Sequence, residues 1–323
     1  MNILVANNHL SQTGGTENYT YAIIVELIKL GHNVEYFTFE KGLVSDKIER
    51  LGVKFRSRKI YDLIIANHTT TIKALSKRGF IIQTCHGKFI ELEQPSQYAD
   101  AYVSISEEVN NYLLSLNKKS TIIRNGIDCE RFYQKNPISD SLNCVLSLCQ
   151  SEEADSFIAA CCKEMNIEFL KASKFSDNIW NIENIINKAD LVVGIGRSLY
   201  DAMACGRAAI SFDQRNYSEA FGDGYLTKEN IWQSLAYNCS GRGTKKKFTK
   251  DSFIEELKKY NKADGEFMRN FALENLNIKN SVNQYLNIVP KKYKIPYFKF
   301  RKSIYLVSTG INNRIKKLKT NPS

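Results

Sequence analysis

The stretch that decides the fold of this chain is NIINKADLVVGIGRSLYDAMACGRAAISFD, residues 184–213. The apolar run Leu191–Val193 predicts a buried strand, and it leads into a glycine turn, Gly194-Ile195-Gly196. A short helix is predicted from Arg197 to Cys205, and Ala208–Phe212 predicts a second strand. A strand, a glycine turn and a helix N-terminus together bind anions, because backbone N–H groups and the helix dipole point at the ligand. The stretch therefore predicts a site for a nucleotide diphosphate.

Side chains in and after this glycine turn are predicted to contact the nucleotide. Asp201 lies early in the predicted helix, within reach of a ribose bound beside the phosphates. Arg197 places a guanidinium beside the amide groups, which suits a pyrophosphate, and a solvent-facing arginine is the equally weighted alternative. The predicted nucleotide-binding residues of this segment are Gly194, Ile195, Gly196, Arg197, Ser198, Leu199 and Asp201.

Strand and helix patterns alternate along the chain on both sides of a polar linker at 133–143. Strands separated by helices predict parallel sheets with helices on both faces. We therefore expect two Rossmann-like α/β domains with a cleft between them, spanning 1–135 and 140–288, and a tail over 289–323. The predicted strands are Asn2–Ala6, Val34–Phe39, Asp62–Ala66, Phe80–Thr84, Ala101–Ile105 and Thr121–Arg124, then Cys144–Leu148, Ile167–Leu170, Leu191–Val193 and Ala208–Phe212.

A double glycine, Gly14-Gly15, follows the first predicted strand and precedes a helix for which Thr16 is the predicted N-cap. A dinucleotide fingerprint would need Gly-x-Gly-x-x-Gly at this place, and the chain lacks it. Tight-turn geometry is therefore the simpler explanation of the two glycines. A second segment, Gly31-His32-Asn33-Val34, ends the helix and enters the next predicted strand.

His86 is the histidine best placed for a functional role. It follows the predicted strand Phe80–Thr84, and the carboxyl edge of a parallel sheet is where ligands bind. A purely structural role is the alternative, because lone histidines are more often structural. His9 and His68 also lie near predicted strand ends, and they are weaker candidates.

These segments together resemble the retaining GT-B glycosyltransferases of family four, the group 1 glycosyl transferases. That family carries Glu-Gly-Phe-Gly, four further residues, and then Glu-Ala-Met-Ala-Cys-Gly-x-Pro-Val-Ile. The resemblance covers roughly residues 1–285 of this chain. The matching positions are Gly194, Gly196, Ala202–Gly206 and Ile210, with Gly-Gly-x-Glu and Gly-His-x-Val in 14–34, Ser-Ile-Ser-Glu at 104–107 and Asn-Gly-Ile-Asp at 125–128.

The resemblance implies a GT-B fold and a transferase reaction. A sugar would pass from a nucleotide-diphosphate sugar, such as a UDP- or GDP-sugar, to a glycan or lipid-linked acceptor in cell-surface polysaccharide synthesis. Anomeric configuration would be retained, with the leaving phosphate helping to deprotonate the acceptor. The resemblance also assigns Gly14, Gly15 and Glu17 to a loop that approaches the donor phosphate. His86 and Asp201 are the predicted catalytic residues, because their counterparts contact the donor sugar and the ribose.

The chain departs from the family at three places. The first glutamate of the family's Glu-x7-Glu motif falls on Val193, which cannot hydrogen-bond to a sugar, and the second is shortened to Asp201. The basic pair that neutralises the diphosphate is replaced by the acidic segment at 148–153. Arg197 and Arg207 are the residues expected to compensate for it.

Metal ions and cofactors are not expected in the predicted reaction. The chain has no Asp-x-Asp pair, which folds that bridge a metal to the diphosphate usually need. A helix dipole and an arginine can hold a diphosphate without one. The eight cysteines form no Cys-x-x-Cys pair, so free buried thiols are predicted.

The charge of the chain is concentrated at its end. Residues 290–323 hold ten Lys and Arg and no Asp or Glu, while the whole chain carries +11. Apolar residues recur there at helical spacing, which predicts a basic amphipathic helix suited to an anionic membrane. Packing on the N-terminal domain is the alternative, and no nucleic-acid motif is found. The expected location is therefore cytoplasmic, peripheral to the inner face of a membrane. The apolar stripe consists of Ile304, Val307, Ile311, Ile315 and Leu318.

Two alternatives to a transferase remain open from the sequence. Val193 and the missing basic pair are compatible with a degenerate GT-B protein that binds a nucleotide sugar or a partner glycosyltransferase without turnover. A sugar-nucleotide epimerase is the second alternative. It would need additional acid and base carboxylates in the cleft, which the sequence does not locate.

Overall fold

The computed structural model describes residues 1–172, 179–215 and 219–290. Within them the chain forms two sheets, each covered by helices, and the segment after residue 122 joins the two halves. Apolar strands buried on both faces are typical of parallel sheets enclosed by helices. The predicted class, two Rossmann-like α/β units, is confirmed.

The N-terminal half holds a seven-stranded parallel sheet in the order β3-β2-β1-β4-β5-β6-β7. In β1, β4 and β5 nearly every residue is buried, because helices cover both faces. Its strands are β1 Asn2–Ala6, β2 Asn33–Phe37, β3 Lys54–Phe55, β4 Leu63–Ala66, β5 Phe80–Cys85, β6 Ala101–Ser104 and β7 Ser120–Ile122. Its helices are α1 Gly15–Lys29, α2 Leu43–Arg50, α3 Thr69–Leu75 and α4 Glu107–Ser115, with a short 3-10 helix at Glu91–Glu93.

The C-terminal half holds a five-stranded sheet in the order β12-β11-β10-β8-β9. Four of its strands are parallel, and the edge strand β12 runs antiparallel to β11. Its strands are β8 Cys144–Ser147, β9 Glu168–Lys171, β10 Leu191–Gly194, β11 Ala208–Phe212 and β12 Gly222–Tyr225. Its helices are α5 Glu152–Glu164, α6 Ile182–Ile186, α7 Arg197–Ala204, α8 Ile231–Ala236, α9 Lys250–Lys258, α10 Lys262–Asn275 and α11 Ile278–Ile288.

The last described helix, α11, crosses back to the N-terminal half. Ile278, Val282 and Tyr285 are buried in the same apolar core as α1 and the N-terminal sheet. The Tyr19 hydroxyl of α1 donates to the Tyr285 hydroxyl at 3.2 Å, and Thr84 lies 2.7 Å from the same oxygen. The sequence assigned this helix to the C-terminal domain, and its packing ties the two halves together. The domain limits 1–135, 140–288 and 289–323 stay predictions.

The N-terminus of α1 corrects one local prediction. Thr16 is not the N-cap, because the helix begins at Gly15 and Gly14 occupies the cap position. The Thr16 hydroxyl instead donates to Oε1 of Glu17 at 2.9 Å. A glycine at the cap position has no side chain to accept a hydrogen bond from the helix. Its small size instead leaves room for neighbouring groups to approach the backbone closely.

The tail at 291–323 lies outside the described residues, so the predicted membrane helix stays a prediction. In the described part of the chain, no helix combines the length and the apolar character that a membrane crossing requires. All eight cysteines are buried and free, as the sequence predicted.

Candidate functional site

The glycine turn lies where the C-terminal sheet opens a crevice. The chain leaves β8 toward β9 on one side and leaves β10 toward β11 on the other. The connections after β8 and β10 therefore diverge, and ligands bind in the gap that results at the carboxyl ends of such strands. Gly194 ends β10, and Gly196 precedes α7 at this point.

The backbone requires glycine at residue 196, and close neighbours favour it at residue 194. Gly196 has a φ of +59°, and a Cβ there would lie 3.1 Å from Nδ2 of Asn238. A Cβ on Gly194 would lie 3.2 Å from Cβ of Ser198. The amides of Arg197 and Ser198 open α7, and first-turn amides of a helix have no partner within it. The turn therefore presents backbone donors at a helix N-terminus, as the sequence predicted.

Arg197 and Asp201 form a buried pair on the first turns of α7. Nε of Arg197 lies 3.7 Å from Oδ1 of Asp201, and each side chain is only 9% exposed. Neither of these two atoms has a hydrogen-bond partner among the described residues. Burial raises the pKa of Asp201 to about 6, although the Arg197 cation opposes this shift. Buried polar atoms without partners are costly, so the pair is suited to receive polar groups from a ligand.

Arg207, the other arginine expected to neutralise the diphosphate, makes its hydrogen bonds away from the glycine turn. Arg207 is buried and donates to the carbonyl of Asn136 at 2.8 Å and to Oδ1 of Asn187 at 2.9 Å. It therefore fastens the linker to the C-terminal half. The acidic segment after β8 starts a helix, where Ser151 caps the amide of Ala154. Arg197 is thus the arginine placed at the glycine turn.

The opposite wall of the cleft is built on the carboxyl edge of the N-terminal sheet. The order β3-β2-β1-β4 makes the chain leave β1 and β4 in opposite directions, which forms a second crevice. Gly14 approaches this edge at the start of α1, and a Cβ there would lie 2.1 Å from Oε2 of Glu17. Glu17 can occupy its position only because residue 14 is glycine. No described atom lies within 4 Å of a Cβ built on Gly15.

Three of the four histidines meet around Glu17. Nδ1 of His9 lies 2.9 Å from Oε1 of Glu17, and the His9 and His68 rings are 6.0 Å apart. The hydrogen bond to Glu17 raises the pKa of His9, while burial opposes it. Burial raises the pKa of Glu17, but the hydrogen bond from His9 and other donors outweigh it and lower the pKa overall. Each group of the pair therefore favours the charged form of the other.

The two other histidines of this edge are neutral. Burial lowers the pKa of His68 to about 4, and its Nδ1 accepts the amide of Asn8 at 3.2 Å. Burial lowers the pKa of His86 to about 3, and the Arg197 cation acts in the same direction. Nε2 of His86 lies 3.2 Å from Oδ1 of Asn67. His86 therefore faces the α7 side of the cleft as an uncharged group.

Glu93 is a second carboxylate at this edge, and it was not among the predicted site residues. It lies in the loop after β5, and Oε2 would be 2.7 Å from a Cβ on Gly87. Burial raises the pKa of Glu93 to about 7, with Glu17 acting in the same direction. No local motif marks this residue, because only the loop geometry brings it beside Glu17.

Besides the packing of α11, further contacts among the described residues join the two sides of the cleft. Arg242 donates to both carboxylate oxygens of Glu108 on α4 at 2.6 to 3.0 Å. Nη1 of Arg197 donates to the carbonyl of Gly126 at 3.2 Å. The Trp180 ring packs edge-on against Tyr21 of α1, with centroids 4.9 Å apart. Sequence spacing gives no sign of these pairs, since their partners are far apart in the chain.

Metal-binding geometry is absent from the described residues. Across 1–172, 179–215 and 219–290, no group of three or more His, Cys, Asp and Glu residues is arranged to hold a metal ion. The predicted independence of metal stays a prediction.

Known proteins share this architecture. No protein-family model matches the sequence, and no curated protein matches it. A glycosyltransferase from Rickettsia africae ESF-5 aligns with a TM-score of 0.56 and 12% identity, over 89% of this chain and 97% of its own. MurG from Acinetobacter baumannii aligns with a TM-score of 0.52 and 10% identity, over 90% and 99%.

A third structure extends the comparison to a protein with a bound nucleotide. An alpha-glucosyltransferase in complex with UDP and a 13-mer DNA aligns with a TM-score of 0.53 and 13% identity, over 90% of this chain and 99% of its own. Membership of family four, with its Glu-x7-Glu motif, stays a prediction. At such identities the likeness concerns the fold, and the chain has the two-domain GT-B fold of these glycosyltransferases.

Proposed function

We propose that this protein is a glycosyltransferase that uses a nucleotide-diphosphate sugar as donor. The donor nucleotide would lie in the cleft, with its phosphates at the amides of Arg197 and Ser198 and its ribose at Asp201. Gly194, Ile195 and Gly196 would line the phosphates, and Leu199 would support the turn from the core. The amides and the Arg197 guanidinium would stabilise charge on the departing diphosphate.

The observation that carries this proposal is the buried pair on α7. Arg197 and Asp201 leave two polar atoms without partners, next to a glycine turn at the switch point of a parallel sheet. A folded protein rarely keeps buried polar atoms unpaired without a reason. A nucleotide supplies a phosphate for one and a ribose hydroxyl for the other. The solved glycosyltransferase with bound UDP makes UDP the first nucleotide to test.

We further propose that the acceptor is a glycan or a lipid-linked saccharide at the inner face of a membrane. The ten positive charges of 290–323 support a membrane role, because each basic residue near an anionic surface contributes about 1 kcal/mol before screening. No part in nucleic-acid modification is proposed. Retention of configuration stays the expectation from the sequence resemblance.

The test is nucleotide binding measured by calorimetry with UDP, GDP and ADP on the full chain. At least one should bind, and Asp201→Ala should weaken it by about 1.5–3 kcal/mol, roughly 10- to 150-fold, because a charged hydrogen bond to ribose is lost. Glu130→Ala is the matched control, because among the described residues this surface carboxylate forms ion pairs with Lys29 at the end of α1 and with Lys279 of α11. Equal binding by the Asp201 variant would show that the ribose assignment is wrong.

Turnover separates transfer from the alternatives. UDP-glucose, UDP-N-acetylglucosamine and GDP-mannose, offered with membrane extract, should release nucleoside diphosphate and yield a glycosylated product. Binding without release would identify a degenerate binding protein. Interconversion of donor sugars without release would identify an epimerase.

Metal removal tests the chemistry of the diphosphate. Because helix amides and Arg197 can neutralise the phosphates, we expect turnover to survive EDTA. Loss of activity on chelation, with recovery on adding Mg²⁺ or Mn²⁺, would show that a metal takes this role.

A further inference from the structure

Polar side chains follow three neighbouring strands at the carboxyl edge of the N-terminal sheet. Asn7, Asn67 and His86 come directly after the last residues of β1, β4 and β5, which lie side by side in the sheet. Asn7 and Asn67 are buried, and both donate from Nδ2 to the hydroxyl oxygen of Thr20, at 3.2 and 3.0 Å. Thr20 of α1 is therefore the centre of a hydrogen-bonded group at this edge.

Backbone atoms fix the direction of each hydrogen bond to Thr20. The Thr20 hydroxyl donates to the carbonyl of Thr16 at 2.8 Å, because a carbonyl can only accept. The oxygen of Thr20 is then left as an acceptor, so the amide nitrogen of Asn67 must face it. Asn7 is oriented independently, because its Oδ1 accepts the backbone amide of Asn8 at 2.8 Å. The one donor and two acceptor positions of the hydroxyl are thus all occupied.

The orientation of Asn67 determines which nitrogen of His86 carries the proton. Because Nδ2 of Asn67 is bound to Thr20, Oδ1 is the atom that faces His86, at 3.2 Å from Nε2. An amide oxygen only accepts, so Nε2 of His86 must be the protonated nitrogen. A neutral imidazole has one donor and one acceptor, so Nδ1 then holds the lone pair.

His86 presents Nδ1 as an uncharged acceptor. Burial lowers the pKa of His86 to about 3, with His68 and the Arg197 cation acting in the same direction. Glu17 opposes this shift without reversing it. Nδ1 lies on the other side of the ring from Asn67, and it has no hydrogen-bond partner among the described residues. Since Arg197 opens α7 at the glycine turn, this acceptor lies beside the proposed donor site.

We propose, resting on the proposed glycosyl transfer, that Asn67 positions His86 to recognise a hydroxyl of the donor sugar. Asn67 holds the proton on Nε2, and Nδ1 accepts the hydrogen of one sugar hydroxyl. The preferred donor is therefore a sugar with a free hydroxyl at the position that meets Nδ1. A donor that is deoxygenated or substituted there leaves the lone pair of His86 unmatched.

The direction of this hydrogen bond makes fluorine a suitable probe. Fluorine is close to a hydroxyl in size, but it has no hydrogen to donate. A donor sugar fluorinated at the recognised position should therefore lose the hydrogen bond to Nδ1. If Nδ1 carried the proton instead, the imidazole would donate to the sugar, and fluorine would still accept weakly. Sensitivity to fluorine thus reports the tautomer of His86 during turnover.

The tautomer itself is measured by nitrogen NMR of the full chain without any donor. In the parent, His86 should show a protonated Nε2 and an unprotonated Nδ1 at neutral pH. Asn67→Leu removes the oxygen that faces Nε2, so the ring should exchange between both tautomers and give averaged nitrogen shifts. Asn7→Leu is the matched control, because it removes the other buried amide bound to Thr20 and should keep the parent tautomer.

Turnover of fluorinated donors tests the sugar contact. UDP-glucose, UDP-N-acetylglucosamine and GDP-mannose are offered unmodified and with one sugar hydroxyl at a time replaced by fluorine. One replacement should lower kcat/KM by roughly 5- to 150-fold more in the parent than in His86→Ala, the range for one hydrogen bond left unmade. Comparing the proteins cancels the intrinsic effect of fluorine on the reactivity of the sugar. Asn67→Leu should lose most of this discrimination, and Asn7→Leu should keep it.

A carboxylate at residue 67 adds a pH-dependent readout. Asn67→Asp keeps an oxygen facing Nε2 and favours the imidazolium, so it should raise the pKa of His86 above about 3. An imidazolium has no lone pair on Nδ1, so kcat/KM of this variant should fall as the pH decreases through the raised pKa. The parent should keep its activity over that interval. A merely structural role of Asn67 would not produce this acid limb, and the variant serves even if Asn67→Leu does not fold.

The outcomes separate this inference from the proposed function. A proton on Nδ1 of His86 in the parent overturns the assigned direction, whatever donor the protein uses. Equal effects of fluorine in the parent and in His86→Ala overturn the sugar contact and leave the transferase standing. An Asn67→Leu variant that keeps both the tautomer and the discrimination overturns the positioning role. A parent that neither binds nucleotide nor turns over any donor overturns the transferase and the sugar contact together.

Discussion

At the residue scale, burial decides which titratable groups can do chemistry. His86 lies at the strand end where the sequence predicted a functional histidine, but its pKa is lowered to about 3. It is therefore neutral throughout the physiological range and can act only through hydrogen bonding. Its Nε2 contacts Asn67, and its ring packs edge-on against Tyr19 at 5.7 Å.

His86→Ala should therefore lower turnover more than stability. Loss of one hydrogen bond to the donor sugar would remove about 1–3 kcal/mol from transition-state binding, roughly a 5- to 150-fold lower kcat. The melting temperature should move little, because the ring is only partly exposed to the core and Asn67 keeps its hydrogen bond to Thr20. Steady-state kinetics and calorimetric melting of the same preparation measure both. Parallel losses in both would return His86 to a structural role.

At the element scale, the β10–α7 turn depends on backbone shape more than on side chains. Gly196 adopts a φ of +59° that other residues take only with strain, and its Cβ position faces Asn238. The turn aligns the first amides of α7, where an anion gains from the helix dipole as well as from hydrogen bonds. A distortion of this turn would therefore displace all of the first amides of α7 at once.

Gly196→Ala should therefore weaken nucleotide binding as well as the fold. The left-handed backbone alone costs an L-residue about 1–2 kcal/mol. Gly52→Ala provides the control, because Gly52 has a φ of +82° in open space away from the cleft. Both variants should lose stability in urea unfolding, and only Gly196→Ala should lose affinity for nucleotide in calorimetry. Equal affinity of the two variants would mean that the turn does not bind phosphate.

At the scale of the whole molecule, contacts between distant segments join the two halves. Helix α11 belongs by sequence to the second half but fills the core of the first, where Tyr285 joins Tyr19 and Thr84 through hydroxyl hydrogen bonds. Arg242 and Glu108 add an ion pair between the halves. The two halves are therefore joined both by the crossing of α11 and by a charged pair.

Truncation after Val289 tests the role of the basic tail. The full chain should co-sediment with vesicles containing phosphatidylserine and should dissociate as salt rises, because charge attraction is screened within about a Debye length. The truncated chain should stay folded and lose this binding, since α11 and the core it fills are retained. Vesicle sedimentation and melting curves of both proteins decide the matter. Unfolding of the truncated chain would instead favour packing of the tail on the N-terminal domain.

The order of elements could be predicted because its signals are local. Buried strands appear as short apolar runs, and glycine turns mark the strand-to-helix junctions at residues 14–15 and 194–196. Helix boundaries differ by a residue or more where capping is not made by a side chain, as at Thr16. The antiparallel strand β12 was not predicted, because glycines at 222 and 224 hide its pattern.

The sequence by itself determined two α/β halves, the glycine turn before α7 and the basic end of the chain, since each depends on composition and spacing within a few turns. Only the tertiary structure decided which side chains meet. Glu17 lies against His9 and near Glu93, and Arg197 lies opposite His86, because strand order and the crossing of α11 bring distant loops to one cleft. Chemistry at this cleft depends on burial and on pair distances. Burial and pair distances are set only when the two sheets have folded and the two halves have packed together.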